Sequence, residues 1–182
     1  RQLHRSINDT LDYGQVGALI RQGDHLTLSQ LPGLMANIQQ ALTIDKLTLN
    51  LPEELHSLNL ALPSQGVEII FWELLENSRK FHPTENPEIY VHVSQKAPGS
   101  LLIQISDNGG HLTPEQLAHA WTPYFQGEKN FTGQVPGMAL RLATVAALVW
   151  NVGGRYHLHN RTDGTGVVVE LTLPEWQKSA PP

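Results

Sequence analysis

Phe71-Trp72-Glu73-Leu74-Leu75-Glu76-Asn77-Ser78-Arg79-Lys80-Phe81 decides how the rest of the chain is read. At about 100° per residue, Glu73, Asn77 and Lys80 fall within a sector of roughly 60° on a helix. Phe71, Leu74, Leu75, Ser78 and Phe81 occupy the flank beside it. One side of such a helix packs on a core while an acid, an amide and an ammonium project together from its edge. Carboxylate and amide oxygens are hard ligands suited to Mg²⁺, and a lysine supplies a point charge for phosphate. The plainer reading of the same stretch is an amphipathic helix with a solvated polar face.

Working outward, Pro63-Ser64-Gln65-Gly66 reads as the turn before this helix. Pro83 ends it, because the residue before a proline avoids helical geometry. Ile89 to Ser94 and Leu101 to Ser106 alternate as strands and are joined by a hairpin at Lys96-Ala97-Pro98-Gly99. The second strand runs straight into Asp107-Asn108-Gly109-Gly110. A carboxylate at a strand end can accept a hydrogen bond from an exocyclic amine, and the glycines let a flat ring approach the backbone. The same four residues also read as a simple tight turn. Thr113-Pro114-Glu115 has the form of a helix start, with Thr113 as N-cap. Gln126 to Pro136 is polar and glycine-containing, the composition of a mobile loop. Gly133 to Leu142 then leads from loop to helix; backbone N–H groups at such a junction can receive phosphate oxygens, although a plain connection has the same form.

Met138 to Trp150 reads as an apolar helix stopped by Gly153-Gly154. Arg155 to His159 and Val167 to Leu173 form a last hairpin around Thr162-Asp163-Gly164-Thr165-Gly166. Before the opening stretch, Arg1 to about Tyr13 reads as the tail of an amphipathic helix, its apolar side either packed on its own domain or forming a dimer seam. Thr27 to Leu28 reads as a short strand, and Ser29 or Gln30 leads into a helix with Pro32 in its first turn. Lys46 to Asn50 and Leu58 to Leu62 are strands. Glu175 to Pro182 reads as a frayed tail.

Composition narrows the function classes. At 182 residues and 40% hydrophobic content the chain suits one large domain, or one domain with an appendage. A formal charge of −5, with 12 basic residues forming no stripe, argues against a nucleic-acid partner. The absence of cysteine excludes disulfides, thiol catalysis and cysteine-ligated zinc. No apolar run approaches the roughly 20 residues of a spanning helix, and no signal-peptide pattern opens the chain. Arg1 falls in what reads as the middle of a helix, so the expectation is a piece excised from a longer protein.

Order and spacing then act together. Glu73, Asn77, Lys80 and Phe81, followed by Asp107-Asn108-Gly109, then Val135-Pro136-Gly137-Met138-Ala139-Leu140, then Gly153-Gly154 and a last strand ending Leu173-Pro174, resemble the catalytic ATP-binding domain of bacterial sensor histidine kinases, in the GHKL ATPase superfamily. The resemblance covers about Leu26 to Pro174. It implies an α/β fold of the α+β two-layer sandwich type: a mixed, mostly antiparallel sheet covered on one face by helices, with nucleotide between the helices and a lid. It divides the chain into residues 1–22, the end of a dimerisation hairpin helix and linker, residues 23–176, the catalytic domain, and a tail at 177–182.

The resemblance further implies ATP and Mg²⁺ as cofactors, with Asn77 as the Mg²⁺ ligand and Glu73 beside it in catalysis. Lys80 would touch phosphate or ribose, and Asp107 would read the adenine amine where Gly109 lets the base enter. Phe81 and Leu112 would line the pocket. Gly137, Met138 and Leu140 would border the triphosphate under the Gln126–Gly137 lid, preceded by the aromatic segment Trp121 to Phe125. The implied partners are a response-regulator receiver domain and a second copy through the hairpin, in the cytoplasm. The chain departs from the family at His111, Ala139 and Arg141, where glycine is usual, and at Val167, where Thr or Ser often meets adenine. Those departures favour a pseudokinase-like binding module as the rival; a serine kinase of the anti-sigma type is a second. His4 lacks the phosphoacceptor context, so phosphoryl transfer would need a histidine outside this chain.

Overall fold

The computed structural model describes residues 24–122 and 138–177, with the backbone alone for 138–141. The elements in chain order are β1 (His25–Thr27), a 3-10 turn (Leu28–Gln30), α1 (Leu31–Leu42), β2 (Lys46–Asn50), a second 3-10 turn (Glu53–Leu55), β3 (Asn59–Pro63), α2 (Ser64–Phe81), β4 (Glu88–Ala97) and β5 (Ser100–Asp107). There follow α3 (Pro114–His119), α4 (Met138–Asn151), β6 (Arg155–Asn160) and β7 (Val167–Pro174).

Five strands form the main sheet in the order β2-β4-β5-β7-β6. β2 runs parallel to β4 and every other neighbour pair is antiparallel. Register explains why one face is covered. Leu49, Val91, Ile105, Val169 and Leu158 stand in one row across all five strands. Because strand side chains alternate, the next row on the opposite face carries His92, Gln104, Glu170 and His157. The apolar rows join α1 (Leu31, Met35, Ile38), α2 (Val67, Ile70, Leu74) and α4 (Val145, Leu148, Val149) in one core. The mixed sheet with helices on one face is therefore the observed architecture. β1 and β3 make a separate antiparallel pair.

Several boundaries differ from the sequence reading, each for a local reason. α2 begins at Ser64, so Pro63-Ser64-Gln65-Gly66 is not a free turn. Pro63, extended at φ −65° and ψ 153°, ends β3 and feeds directly into the helix. Gly66 lies in the first helical turn, against the Leu62 side chain. The β4–β5 strands run on until only Pro98-Gly99 connects them. The first strand ends at Thr27, whose backbone N–H is taken by the Gln30 side chain. The tail is not frayed at Glu175: that residue bridges Leu60, Trp176 N–H donates to Asn59 O at 2.8 Å, and the indole stacks on His25 at 4.4 Å. Position near a chain end does not imply fraying when a strand edge is within reach. The expected N-terminal helix, the lid loop and residues 178–182 lie outside the described residues.

Candidate nucleotide site

α2 delivers two polar groups to the interior. Glu73 and Asn77, one turn apart, are only 7% and 8% exposed. Their burial departs from the plainer reading of this stretch, a solvated polar face. Both the oxygen and the nitrogen of the Asn77 carboxamide are buried without a hydrogen-bond partner. Such a group costs about 1–3 kcal/mol to bury, so it marks either strain or a missing ligand. Lys80, at the C-terminal end of the same stripe, is half-buried with Nζ 3.5 Å from Glu76 Oε1.

Asp107 closes β5 on the buried face, 6% exposed, opposite Ile89. Its two carboxylate oxygens are held from three elements. The Ser78 hydroxyl donates to Oδ2 at 2.8 Å, while the backbone N–H groups of Gly109 and Val167 reach Oδ1 at 3.0 and 3.4 Å. Glycine at 109 is what lets the carboxylate fold back on its own turn: a Cβ there would lie 3.2 Å from Asp107 Oδ1. The same Cβ would be 3.9 Å from the Phe81 carbonyl, so the end of α2 borders the turn.

The β6–β7 loop packs directly behind this turn. Gly166 has φ +111°, and a Cβ on it would stand 1.9 Å from the Asp107 carbonyl oxygen. Arg161 Nη1 donates to that carbonyl at 3.3 Å, and its Nε and Nη2 bind the Asp163 carboxylate at 3.0 and 3.2 Å. The Arg161 hydrogen bond holds the Asp163 carboxyl below the usual carboxylate range. His111 Nε2 lies 2.9 Å from Gly164 O. His111 is not among the residues with positive φ, so histidine in place of the family's glycine brings no backbone strain here. Leu112 exchanges two hydrogen bonds with the Asn160 side chain, both 2.8 Å. Thr113 caps α3 as its sequence predicts, accepting from Gln116 N–H at 3.2 Å.

The structure thus brings the C-terminal end of α2, through Ser78 and Phe81, against the Asp107–Gly109 turn, while Leu112 at the far end of that turn is tied to Asn160. Met138, Ala139, Leu140 and Arg141 form the first turn of α4, which packs beside α2. Gly137 and the Gln126–Pro136 segment lie outside the described residues. At Val167 the backbone N–H, not a hydroxyl, faces Asp107. Sequence reasoning missed Ser78, Asn160, Arg161 and Gly166. A serine within an apolar helix flank was the one local signal; the other three act through contacts across more than fifty residues or nearly so. Among the described residues no group of three or more His, Asp or Glu could hold a metal by itself.

Residues 63–177 match the model of the histidine kinase-, DNA gyrase B- and HSP90-like ATPase family. The chain is 29% identical over 180 residues to the sensor protein KdpD of Escherichia coli, covering 97% of this chain but 19% of that protein. It is 25% identical over 173 residues to the autoinducer 2 sensor kinase/phosphatase LuxQ of Vibrio cholerae, covering 92% of this chain and 20% of LuxQ. It therefore spans about a fifth of these relatives. Among solved structures, the mycobacterial sensor histidine kinase MprB superposes with TM-score 0.63 at 18% identity, covering 81% of this chain and 97% of the other. Full-length ShkA in complex with AMPPNP gives 0.69 at 19% identity, covering 99% and 37%. With that family model matched over more than half of its length, the chain belongs to the histidine kinase-, DNA gyrase B- and HSP90-like ATPase family.

Proposed function

We propose that this chain is the ATP-binding catalytic part of a two-component sensor histidine kinase, and that the site between α2, the Asp107 turn and α4 holds Mg²⁺-ATP. The observation that carries this reading is the buried Asn77 carboxamide, unpartnered and one turn from buried Glu73. A carboxamide oxygen is a fitting hard donor, and Mg²⁺ takes few protein ligands when phosphate oxygens and water complete its shell. Asn77 would hold the ion, which when bound neutralises charge on the phosphates.

The chain's own groups divide the remaining tasks. Asp107, pinned by Ser78 and Gly109, presents a carboxylate fixed in direction to accept from the adenine amine. Phe81 and Leu112 flank the base, and Lys80 lies where it can exchange Glu76 for phosphate or ribose. Glu73 orients the reacting groups beside Asn77. Gly137, Met138 and Leu140 border the triphosphate. Positioning and electrostatics dominate such phosphoryl transfer. The acceptor nitrogen would belong to a histidine on another segment: it bonds to the γ-phosphorus as the bond to the bridging oxygen breaks and ADP leaves.

In the longer protein, residues 1–22 would continue a dimerisation hairpin and residues 23–176 would form the catalytic domain in the cytoplasm. The phosphohistidine would then pass its phosphoryl group to a response-regulator receiver domain. The direct test is calorimetric titration with AMPPNP and Mg²⁺. Micromolar binding supports this reading, and no binding at millimolar ligand rejects it.

A further inference from the structure

We infer that Asn160 and Arg161 are positioning residues for base recognition, two consecutive side chains at the end of β6 that grip the Asp107–Leu112 turn at both ends. The inference rests on the nucleotide site proposed above and deepens it.

The Asn160 carboxamide accepts from Leu112 N–H and donates to Leu112 O, each at 2.8 Å. It thereby satisfies both backbone groups of one residue, as a neighbouring strand would. One residue further on, Arg161 Nη1 donates to Asp107 O at 3.3 Å. Its Nε and Nη2 donate to Asp163 at 3.0 and 3.2 Å, a two-point contact that fixes the orientation of the guanidinium plane. The Arg161 N–H also donates to Gly166 O at 3.0 Å, closing the loop that carries it. Between the two grips run only Asn108, Gly109, Gly110 and His111.

This arrangement matters to a ligand because the Asp107 carboxylate has no independent freedom. Both of its oxygens are engaged inside the protein, by Ser78, Gly109 and Val167. Where the turn sits is therefore where the acceptor sits. A hydrogen bond to an exocyclic amine weakens steeply with misalignment, so a shift of the turn is felt at the base and much less at the phosphates.

The test compares the native chain with Asn160→Asp and Arg161→Lys. Asn160→Asp keeps the shape and the acceptor for Leu112 N–H, but turns an oxygen toward Leu112 O in place of the donor. Arg161→Lys keeps the charge and removes the fork. Each protein is titrated with ATP and with ITP, which lacks the amine, at saturating Mg²⁺, and melting is followed in parallel. Asn160→Asp is expected to weaken ATP about tenfold and ITP less than about twofold. Arg161→Lys is expected to act in the same direction by about threefold. The ATP-to-ITP ratio does not depend on the folded fraction, so a loss of stability alone leaves it unchanged. An unchanged ratio in both variants, beside a native chain that prefers ATP, overturns the inference and leaves the site reading standing. A native chain that binds neither nucleotide overturns both.

Discussion

The Ser78 hydroxyl donates to Asp107 Oδ2 at 2.8 Å, tying the last turn of α2 to the end of β5 across 29 residues of sequence. The helix that carries Asn77 and the turn that carries Asp107 are thus fastened to each other by adjacent side chains. Ser78→Ala removes a hydrogen bond to a buried carboxylate, worth roughly 1.5–3 kcal/mol. Melting temperature should fall by about 3–12 °C, since each kcal/mol shifts a domain of this size by about 2–4 °C. A calorimetric scan that leaves the midpoint unmoved would contradict the assigned bond.

Gly166 and Gly110 should respond to alanine by very different amounts. At Gly166 the added Cβ meets the Asp107 carbonyl at 1.9 Å and φ is +111°, so either the loop or the turn must move. Gly110 faces open space, with no heavy atom within 4 Å of a Cβ. Urea unfolding should show Gly166→Ala losing at least about 3 kcal/mol and Gly110→Ala less than about 1 kcal/mol. Equal losses would mean that the loop does not bear on the turn as described.

Glu170, on the polar face of the sheet, has its carboxyl pKa lowered from 4.5, first by the Gln104 hydrogen bond and then by His159. A folded value below the unfolded one contributes stability that is full above the unfolded pKa and is lost as pH falls through the folded pKa. Gln104→Leu removes the larger cause. The gap in stability between native and variant should hold above about pH 5 and narrow as the pH drops below 4.5. A gap independent of pH would assign the lowering to something other than Gln104.

Much of this fold can be read from local periods, because burial repeats every second residue along much of β4, β5 and β7. Leu101, Ile103 and Ile105 lead directly to Asp107, and the α2 stripe places Glu73 beside Asn77 without any tertiary knowledge. What the period cannot carry is which polar groups meet. Ser78 reads as part of an apolar flank until Asp107 is seen against it. Asn160 and Arg161 fall between the strand read to His159 and the turn read from Thr162, yet they bond residues 48 and 54 positions away. Gly166 reads as a turn residue, whereas its requirement is the approach of another chain segment. Trp176 reads as tail because nothing local announces the His25 ring it stacks on.

Without an acceptor histidine in its phosphorylation context, the chain should bind nucleotide and keep no phosphoryl group. Incubation with γ-labelled ATP is expected to leave no acid-labile label on the protein. Phosphohistidine at His4 would contradict the assignment of residues 1–22 to the second hairpin helix.

The account turns on Asn77. Its buried, unpartnered carboxamide is read as the protein's hold on Mg²⁺, so metal and nucleotide binding must be coupled through that one side chain. The most direct measurement is calorimetric titration of AMPPNP into the native chain and Asn77→Ala, each with and without Mg²⁺, with circular dichroism confirming that both are folded. The account predicts that Mg²⁺ tightens nucleotide binding at least about tenfold in the native chain and leaves Asn77→Ala unaffected. An equal Mg²⁺ enhancement in the two proteins would contradict it.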